Sequence, residues 1–525
     1  MKQSIHKIAA AVAILSVAIV SGCKESSRAQ SNATRPNVLW VVWDTVRADH
    51  LSLYGYERPT TPRLEEWAKG ARVFENCIST ATSTVPSHAS MFTGLLPSEH
   101  GIHNKHRFLE DGYTTVAELF SDAGYQTYLF AANPHIAQDE NFHQGFDVEE
   151  HPWNPQYRDE ARRILQEKLL PDDQGRLARR IRGGGGTTWT IKASGALARK
   201  GAEAWLAQCD PDRPFFIFLN YMEAHEPYIP AESYRQLMMS PEDVRRSCKL
   251  GPVWPAIWHH SFGLKSYSDE DIAIMGATYD ATLRELDDLF GDLITSLQAA
   301  GHLDNTIVVL TADHGEHLGD HHMLDHQFAL YNPLIHVPLV LHYPQGVEPG
   351  RDSRPVMNFD LFPTLLELAG LDLPADLNTR AQSLLAPLDK RLRIAEYPAV
   401  FEKGLRTVKK GYPNWDPTPW RRTFRALFAD DDKYIWASDG RHELYDLADD
   451  PGELHNLVET RADRAAELDA LLAEQVATFA EPLRSVRTRP PSKAHQARLK
   501  GLGYAGTDEE LDENPSAEQD SVDEE

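Results

Sequence analysis

Short runs of mostly apolar residues recur along the chain and alternate with segments of helical pattern. The runs do not alternate polar and apolar positions, so each is typical of a strand buried on both faces of a sheet. The predicted strands are Asn37–Trp43, Gln126–Ala131, Phe215–Tyr221, Asn305–Thr311 and Val337–His342. Thr61-Pro62 and the leucine-rich stretch 269–300 predict helices between them. The pattern predicts an α/β fold with a mostly parallel sheet flanked by helices.

Acidic and histidine side chains follow two of these strands. Asp44 comes directly after Asn37–Trp43, and Asp313 and His314 follow Asn305–Thr311. In such sheets, ligand-binding groups lie at the carboxyl ends of strands. One carboxylate and one imidazole there can reach a single divalent ion, and Asp44 can add a third ligand. The alternative is a polar loop whose histidines face solvent.

The hydroxyl-rich segment Thr82–Gly94 precedes a predicted helix. Thr84 stands two residues before Pro86, close to the start of that helix. The first turn of a helix offers free N–H groups and a favourable dipole to an anion, so a nucleophile there lies beside a bound oxyanion. Taken alone, such a segment is most often an ordinary helix cap.

Two stretches interrupt the strand–helix pattern. Residues 150–200 are rich in arginine around the glycine run 183–186, and we expect a flexible insertion because no phosphate-loop Gly-Lys-Ser/Thr follows. Residues 401–425 are expected to form a loop near the mouth of the site. Beyond Arg425, strand-like residues and a helix at Arg461–Phe479 predict a small α+β subdomain. We therefore expect a catalytic domain over 37–400 and a C-terminal subdomain over 401–485.

The charge of the chain is strongly negative. The 525 residues carry a formal charge of −25, and residues 506–525 hold ten acidic and no basic side chains. This segment is typical of a disordered tail, which we assign to residues 486–525. The acidic body has no basic surface for nucleic acid, so a nucleic-acid partner is not expected.

The first residues have the pattern of an export signal. A basic start precedes the apolar run Ile8–Val20, which is too short to span a bilayer. Val20–Cys23 resembles a bacterial lipobox, which predicts removal of residues 1–22, a lipid on Cys23 and a linker over 23–36. A plain signal peptide with an incidental cysteine is the alternative. The lipoprotein interpretation places the protein in the bacterial cell envelope, anchored to a membrane on its periplasmic or extracellular face.

Several motifs resemble the sulfatase branch of the alkaline phosphatase superfamily over about residues 36–472. They include NVLWVVWDTVRADHLSLYGY, TVPSHASMFTGLLPSEHGI, FLNYMEAHEPY and NTIVVLTADHGEHLGDHH. The resemblance implies an alkaline-phosphatase-like fold and a metal-dependent hydrolase of anionic esters on small molecules or glycans. It matches Asp44, Asp313 and His314 to metal ligands, with Thr84 at the nucleophile position.

The resemblance also assigns substrate contacts and a cofactor. His225 matches a substrate-contacting histidine, and His326 falls where sulfatases commonly place a lysine that touches the ester. One divalent ion is expected. Calcium is the family's usual ion, while the threonine and the additional histidines favour zinc or manganese. The sequence does not indicate an oligomeric state.

The segment Thr84–His88 departs from the family's Cys/Ser-x-Pro-x-Arg motif, in which the first residue becomes formylglycine. Threonine is not a substrate for that conversion, and His88 replaces the arginine. No formylglycine is therefore expected.

Threonine at position 84 also resembles phosphoryl-transfer branches of the superfamily, including nucleotide pyrophosphatases and phosphoethanolamine transferases. The transferases likewise carry a histidine thirteen residues after the Asp-His aspartate, as His326 follows Asp313. No second Asp-x-x-x-His metal element is found near Glu223–His225.

These residues predict covalent catalysis at Thr84. Coordination to a divalent ion lowers the pKa of a hydroxyl. His88, His225 and His326 can then donate to the ester oxygens or protonate the leaving alcohol. Three functions follow as hypotheses: a sulfate or phosphate ester hydrolase, a phosphodiesterase or phosphotransferase, and an inactive ligand-binding lipoprotein. The retained metal ligands and hydroxyl argue against the third.

Overall fold

An eight-stranded sheet forms the centre of the protein. The computed structural model describes residues 35–170, 188–250, 256–375, 377–387, 391–483 and 491–501. The predicted leader 1–22, the glycine run 183–186 and the acidic residues 506–525 lie outside the described residues. The strands, in chain order, are β1 (Asn37–Trp43), β2 (Arg72–Ile78), β3 (Gln126–Ala131), β4 (Val148–Glu150), β5 (Phe215–Tyr221), β6 (Thr306–Ala312), β7 (His317–Leu318), β8 (Leu324–Asp325), β9 (Leu339–His342), β10 (Gly350–Met357), β11 (Arg393–Tyr397), β12 (Phe424–Ala429), β13 (Asp432–Ala437) and β14 (Glu443–Asp446).

The central sheet has the order β10-β2-β9-β6-β1-β5-β3-β4. Strand β9 runs antiparallel to β2 and β6, and the other neighbouring pairs are parallel. The prediction of an α/β fold with a mostly parallel sheet is confirmed. The connection to the reversed strand, residues 313–338, contains the β7–β8 hairpin, a 3-10 helix at Asp320–His322 and a four-residue helix. It has no long helix of the kind that usually carries a parallel crossover over the face of a sheet.

Helices pack on the central sheet and, towards the C-terminus, on other parts of the fold. They are α1 (Pro62–Ala68), α2 (Thr84–Thr93), α3 (Pro97–His100), α4 (Val116–Asp122), α5 (Arg158–Lys168), α6 (Ser194–Leu206), α7 (Glu232–Met238), α8 (Pro241–Ser247), α9 (Trp258–Ser261), α10 (Asp269–Ala299), α11 (Asn332–Ile335), α12 (Leu361–Leu368), α13 (Glu402–Gly411), α14 (Ala462–Val476) and α15 (Lys493–Gly501). Helix α10 buries Leu283, Leu286, Leu293 and Leu297, whose spacing puts them on one face. Within the described ranges, no helix has the length and apolarity needed to cross a membrane.

A second, antiparallel sheet of four strands, β11 to β14, follows in the C-terminal part. The strand-like stretch after Arg425 is a hairpin of β12 and β13 rather than one strand. Helix α14 contacts β12 and β13 and buries Leu468 and Leu472. The α+β character predicted for this part is present.

Three segments expected to be irregular contain helices. The predicted insertion 150–200 includes α5 and the start of α6, both of which bury residues along one side. The predicted loop 401–425 contains α13, which buries Leu405 and Val408. The predicted tail 486–525 contains α15, whose His495 and Leu499 are buried. In each case, burial of a few side chains stabilises the helix. The apolar pattern of these helices is weak in the sequence because charged residues surround the few buried positions.

Candidate active site

The carboxyl ends of β1 and β6 bring Asp44 and Asp313 side by side. The two strands are parallel neighbours in which Trp43 pairs with Ala312, so the next residue of each strand is acidic. His314 follows, and one ligand atom from each of the three side chains lies within 4.8 Å of the others. All three side chains are buried. The grouping expected from the strand ends is therefore present, and we call these three residues the cation cluster.

The two carboxylates of the cation cluster are only partly satisfied by hydrogen bonds. Oδ2 of Asp44 accepts from Nδ2 of Asn133 at 2.9 Å, and Oδ1 of Asp313 accepts from the backbone N–H groups of Thr45 and His314. Oδ1 of Asp44 and Oδ2 of Asp313 are buried, and neither has a hydrogen-bond partner in the part of the chain that the structure describes. Burial raises the pKa of both carboxyls to about 7, and the charge of Asp313 adds to the shift at Asp44. A nearby cation would favour the ionised form of both carboxyls and so lower their pKa values again.

His314 presents an unprotonated nitrogen to this cluster. Its Nδ1 donates to the carbonyl oxygen of Gly315 at 3.0 Å, which leaves Nε2 at 3.5 Å from Oδ2 of Asp313. Burial lowers the pKa of His314 to about 3, so the ring is in the neutral form that binds metals. The next position requires glycine, because a Cβ on Gly315 would lie 2.1 Å from the carbonyl oxygen of Pro333.

Thr84 lies beside the cation cluster at the start of α2. Its Oγ1 is 3.4 Å from Nε2 of His314 and 3.1 Å from Nδ2 of Asn133. One turn later, Oγ of Ser87 donates to the carbonyl oxygen of Asp313 at 2.7 Å, which ties α2 to the end of β6. The hydroxyl thus occupies a helix N-terminus, where free N–H groups favour an anion.

Asn133 connects the cluster to Thr84 and is not among the residues predicted from the sequence. Its amide nitrogen contacts both Oδ2 of Asp44 and Oγ1 of Thr84. Asn133 lies two residues beyond the end of β3. The strand-end rule that identifies Asp44 also applies to this position. The signal is weak in the sequence because an amide carries no charge and is common in loops.

His326 lies between two carboxylates. Its Nδ1 is 2.8 Å from Oδ1 of Asp325 and 3.3 Å from Oε1 of Glu316, and all three side chains are buried. Burial by itself would lower the pKa of His326, but the two negative charges outweigh it and raise the pKa well above its usual value. His326 is therefore cationic. Its ring centroid lies 4.6 Å from that of His314 and 5.3 Å from that of His225.

His225 is the neutral partner of this pair of histidines. Its Nδ1 donates to the carbonyl oxygen of Glu226 at 2.8 Å, and burial together with the charge of His326 lowers its pKa well below the usual value. The buried ammonium of Lys192 holds the same segment, since it donates to the carbonyl oxygens of Met222, at 2.8 Å, and of His225. Lys192 therefore helps to fix where the His225 ring lies.

His88 is not in the cavity, which corrects the prediction that it contacts the ester. Its side chain is fully buried, and Nδ1 donates to the carbonyl oxygen of Thr84 at 2.9 Å. The ring packs against Phe92 and Phe218, and burial lowers its pKa to about 3. Nδ1 of His88 also lies 3.6 Å from Oδ2 of Asp313, so the ring fills the space between α2 and the end of β6. It supports the first turn of that helix instead of meeting a ligand.

One cavity includes Thr84 in its wall. Its lining combines a hydroxyl, imidazoles, a guanidinium and aromatic rings with two carboxyl groups, contributed by Thr84, His225, His326, Arg107, Trp258, Phe401, Glu226 and Asp325. His135, which the sequence analysis does not identify, also lines it. The guanidinium and the cationic imidazole suit an anionic group, the carboxyl groups suit hydroxyls, and the aromatic rings suit the flat face of a ring system.

Comparison with protein families agrees with this geometry. The family described as Sulfatase matches residues 36–371, and the family described as N-sulphoglucosamine sulphohydrolase, C-terminal, matches residues 319–481. The first match spans Thr84 and the whole cation cluster. The second match spans the C-terminal antiparallel sheet and α14.

Individual relatives extend over most of the chain. The uncharacterized sulfatase YidJ of Escherichia coli is 24% identical over 487 residues, covering 89% of this chain and 93% of that one. The N-acetylglucosamine-6-O-sulfatase of Bacteroides thetaiotaomicron is 22% identical, covering 90% of this chain and 91% of its own. The phosphonate monoester hydrolase of Agrobacterium radiobacter shares the fold with a TM-score of 0.62 and 22% identity, over 84% of this chain and 95% of that one. The protein therefore belongs to the sulfatase family of hydrolases within the alkaline phosphatase superfamily.

Proposed function

We propose that this protein cleaves sulfate esters, or phosphate esters, with Thr84 as its nucleophile. The observation that carries the proposal is the position of Oγ1 of Thr84, at the start of α2 and 3.4 Å from Nε2 of His314. Cavity, helix N-terminus and cation cluster meet at this one hydroxyl. Formylglycine is not part of the proposal, because residue 84 is threonine.

The residues of the cation cluster fit one divalent ion. Two buried carboxylate oxygens without hydrogen-bond partners among the described residues, and one neutral imidazole nitrogen, form the donor set. We propose that Asp44, Asp313 and His314 hold this ion, with Thr84 at its edge. The family favours calcium, which takes oxygen ligands, whereas the imidazole nitrogen of this donor set favours zinc or manganese. When bound, such an ion supplies positive charge that favours ionisation of a neighbouring hydroxyl.

Thr84, His326 and His225 differ in what they do during cleavage of the ester. Oγ of Thr84 attacks the sulfur or phosphorus, and the bond to the alcohol breaks. His326, held as a cation by Asp325 and Glu316, donates to the non-bridging oxygens or to the departing alcohol. His225 is neutral and has its Nδ1 proton committed to a carbonyl oxygen, and its pKa is well below the usual value. The hydroxyl proton of Thr84 therefore passes to solvent rather than to this ring. Attack by water at the same sulfur or phosphorus then releases Thr84.

A second candidate is phosphoryl transfer or phosphodiester cleavage. The observation that favours it is the single hydroxyl of Thr84. A formylglycine hydrate expels sulfate through its second hydroxyl, and threonine has none, so the Thr84 ester must be resolved by attack at its central atom. Phosphorus accepts such attack readily in this superfamily, and a second alcohol in place of water would make the protein a transferase.

The aromatic rings of the cavity suggest the organic part of the substrate. Trp258 and Phe401 line the same cavity as Thr84, and flat apolar rings of this kind stack on sugar or aryl faces. One relative is named for a sulfated N-acetylglucosamine. We propose a glycan or small-molecule ester as the substrate.

A substrate panel tests these proposals. Aryl sulfate, aryl phosphate and aryl phosphodiester substrates should each be assayed with calcium, zinc and manganese after removal of bound metal. Turnover of the sulfate alone supports the first candidate, and turnover of the phosphodiester supports the second. No metal-dependent turnover of any substrate would contradict both and favour a ligand-binding role.

We also propose a location and a division of the chain. The lipobox-like Val20–Cys23 supports a lipid anchor on Cys23 in the bacterial envelope. The catalytic part would span 37–400 and the C-terminal part 401–485.

A further inference from the structure

A second group of metal-binding side chains joins the C-terminal helix α15 to the loop that follows β3. Its members are His135, Glu140 and His495, and one ligand atom from each lies within 4.8 Å of the others. The three side chains are 0–3% exposed. His495 is separated from Glu140 by 355 positions, so the cluster depends on the docking of α15. From this cluster we infer that His135, Glu140 and His495 form a binding site for a zinc-type transition-metal ion.

The donor set is that of a zinc site. Two imidazoles and one carboxylate are a standard set of three protein ligands for zinc, with a fourth position left for water. Zinc–ligand bonds of about 2.0–2.2 Å put neighbouring ligand atoms roughly 3.3–3.6 Å apart in tetrahedral geometry. Nε2 of His495 and Oε1 of Glu140 are 3.3 Å apart, which matches that separation. The third donor lies within 4.8 Å of the other two, so a shift of at most about 1.5 Å completes the set.

The contact between His495 and Glu140 is long for an ion pair. Hydrogen bonds between a cationic nitrogen and a carboxylate are typically about 2.7–2.9 Å. At 3.3 Å, the pair is better placed to share an ion than to share a proton.

Asp139 is placed to orient His495. Its Oδ2 lies 3.7 Å from Nδ1 of His495, the nitrogen that faces away from Glu140. Metal-binding histidines commonly direct their other ring nitrogen to a carboxylate, which fixes the tautomer. The N–H and Oγ of Ser492 also donate to Asp139, at 2.7 and 3.1 Å, so this carboxylate is itself held in place. At 3.7 Å the carboxylate is not yet hydrogen-bonded to His495, and it has to move by about 1 Å to support that ligand.

The site has a consequence for the cavity. His135 lines the cavity that contains Thr84, whereas His495 lies on α15. An ion shared by the two histidines fixes the His135 ring through a helix that the sequence places after the C-terminal subdomain. The proposed function does not require this site, because the cation cluster uses other residues.

Metal analysis of the full chain tests the inference. The experiment uses Asp313→Asn as the background, to suppress binding at the cation cluster, and compares it with the same background carrying His495→Ala or Glu140→Gln. After dialysis against zinc and removal of free metal, we expect about one zinc per chain in the background and less than a tenth of that in both double variants. Glu140→Gln is informative because the amide oxygen still accepts a hydrogen bond from His495. Gln496→Ala in the same background is the matched control, since it removes the 3.1 Å hydrogen bond from α15 to the carbonyl oxygen of Pro491 without touching the site, and it should keep its zinc.

Equal zinc content in the background and both double variants would overturn the inference, as would a background that binds no zinc. The Tm with and without zinc is a second measurement, which remains informative if a variant folds poorly. Zinc should raise the Tm of the Asp313→Asn protein and of its Gln496→Ala derivative, but not that of the Glu140→Gln derivative. A rise of the same size in all three would also overturn the site.

Discussion

The hydroxyl of Thr84 lies 3.4 Å from Nε2 of His314, although 230 positions separate the two residues. The contact exists because α2 begins beside the carboxyl end of β6, where Ser87 bonds the backbone of Asp313. A hydroxyl that is ordinary in the sequence thus becomes a neighbour of three side chains that could hold a metal ion. The proposed chemistry depends on this contact.

The cation cluster should lose its ion when one carboxylate is removed. Asp313→Asn should lower the affinity for the activating divalent metal by at least about 100-fold, since even outer partners of metal ligands are worth 10–100-fold. Turnover should fall with it at subsaturating metal. Isothermal titration of metal-free protein measures the affinity, and Asp304→Asn, an exposed carboxylate ahead of β6, is the control. An unchanged metal affinity in Asp313→Asn would contradict the ligand assignment.

The value of kcat should depend on the positive charge of His326 more than on the shape of its imidazole ring. His326→Ala should lower kcat by about 10²–10³, the usual cost of losing one donor to a developing negative charge. His326→Lys should retain activity within about tenfold of the parent, because Asp325 and Glu316 can pair with an ammonium. His322→Ala changes an exposed histidine of the same loop and should have no effect. Equal kcat values for the alanine and lysine variants would count against a cationic role.

The ion pair between Arg47 and Asp320 predicts a dependence of stability on pH. The guanidinium of Arg47 is buried and lies 2.7 Å from Oδ2 of Asp320. Burial opposes ionisation of Asp320, but the charge and hydrogen bonds of Arg47 outweigh it and lower the pKa below its usual value. A lowered carboxyl pKa stabilises the fold above the unfolded-state value of about 3.9, and the contribution is lost as the pH falls through the folded-state pKa.

Arg47→Met should therefore lower the free energy of unfolding by about 1.5–3 kcal/mol at pH 7, a typical value for hydrogen bonds to charged groups. The difference from the parent should shrink below about pH 4. Urea unfolding between pH 7 and pH 3 measures it. Arg163→Met, which breaks an exposed pair on α5, should cost much less at every pH. A difference that stays constant down to pH 3 would show that lost packing, rather than charge, is responsible.

The sequence predicts the strands and the cation cluster well, because buried strands are continuous apolar runs and their carboxyl ends are marked by charged residues. β1, β3 and β5 begin and end at the predicted residues, and β6 is displaced by one. The sequence does not predict the contacts of His88 or Asn133. One side of α2 is as polar as the other, so its inner face cannot be read from the pattern. The role of Asn133 depends on the pairing of β3 with β5, which only the folded sheet reveals.

The proposed lipid anchor makes a prediction about fractionation. The parent protein expressed in a Gram-negative host should be recovered with membranes, and Cys23→Ser should move it to the soluble fraction, because the acyl chains supply the membrane affinity. Cys209→Ser, a change in the folded body, should leave the protein with membranes. Recovery of the parent in the soluble fraction would contradict the anchor.

The most direct test of the account is the turnover of Thr84→Ala, measured with its Tm and its metal affinity. If Thr84 is the nucleophile, turnover should fall by about 10³ or more, while metal affinity stays largely intact because Asp44, Asp313 and His314 remain. Thr84→Ser should keep part of the activity, since the oxygen is retained. A helix cap alone would cost about 0.5–2 kcal/mol of stability and reduce activity only as far as folding is lost. A folded Thr84→Ala protein that hydrolyses sulfate and phosphate esters at the parental rate would contradict the central claim.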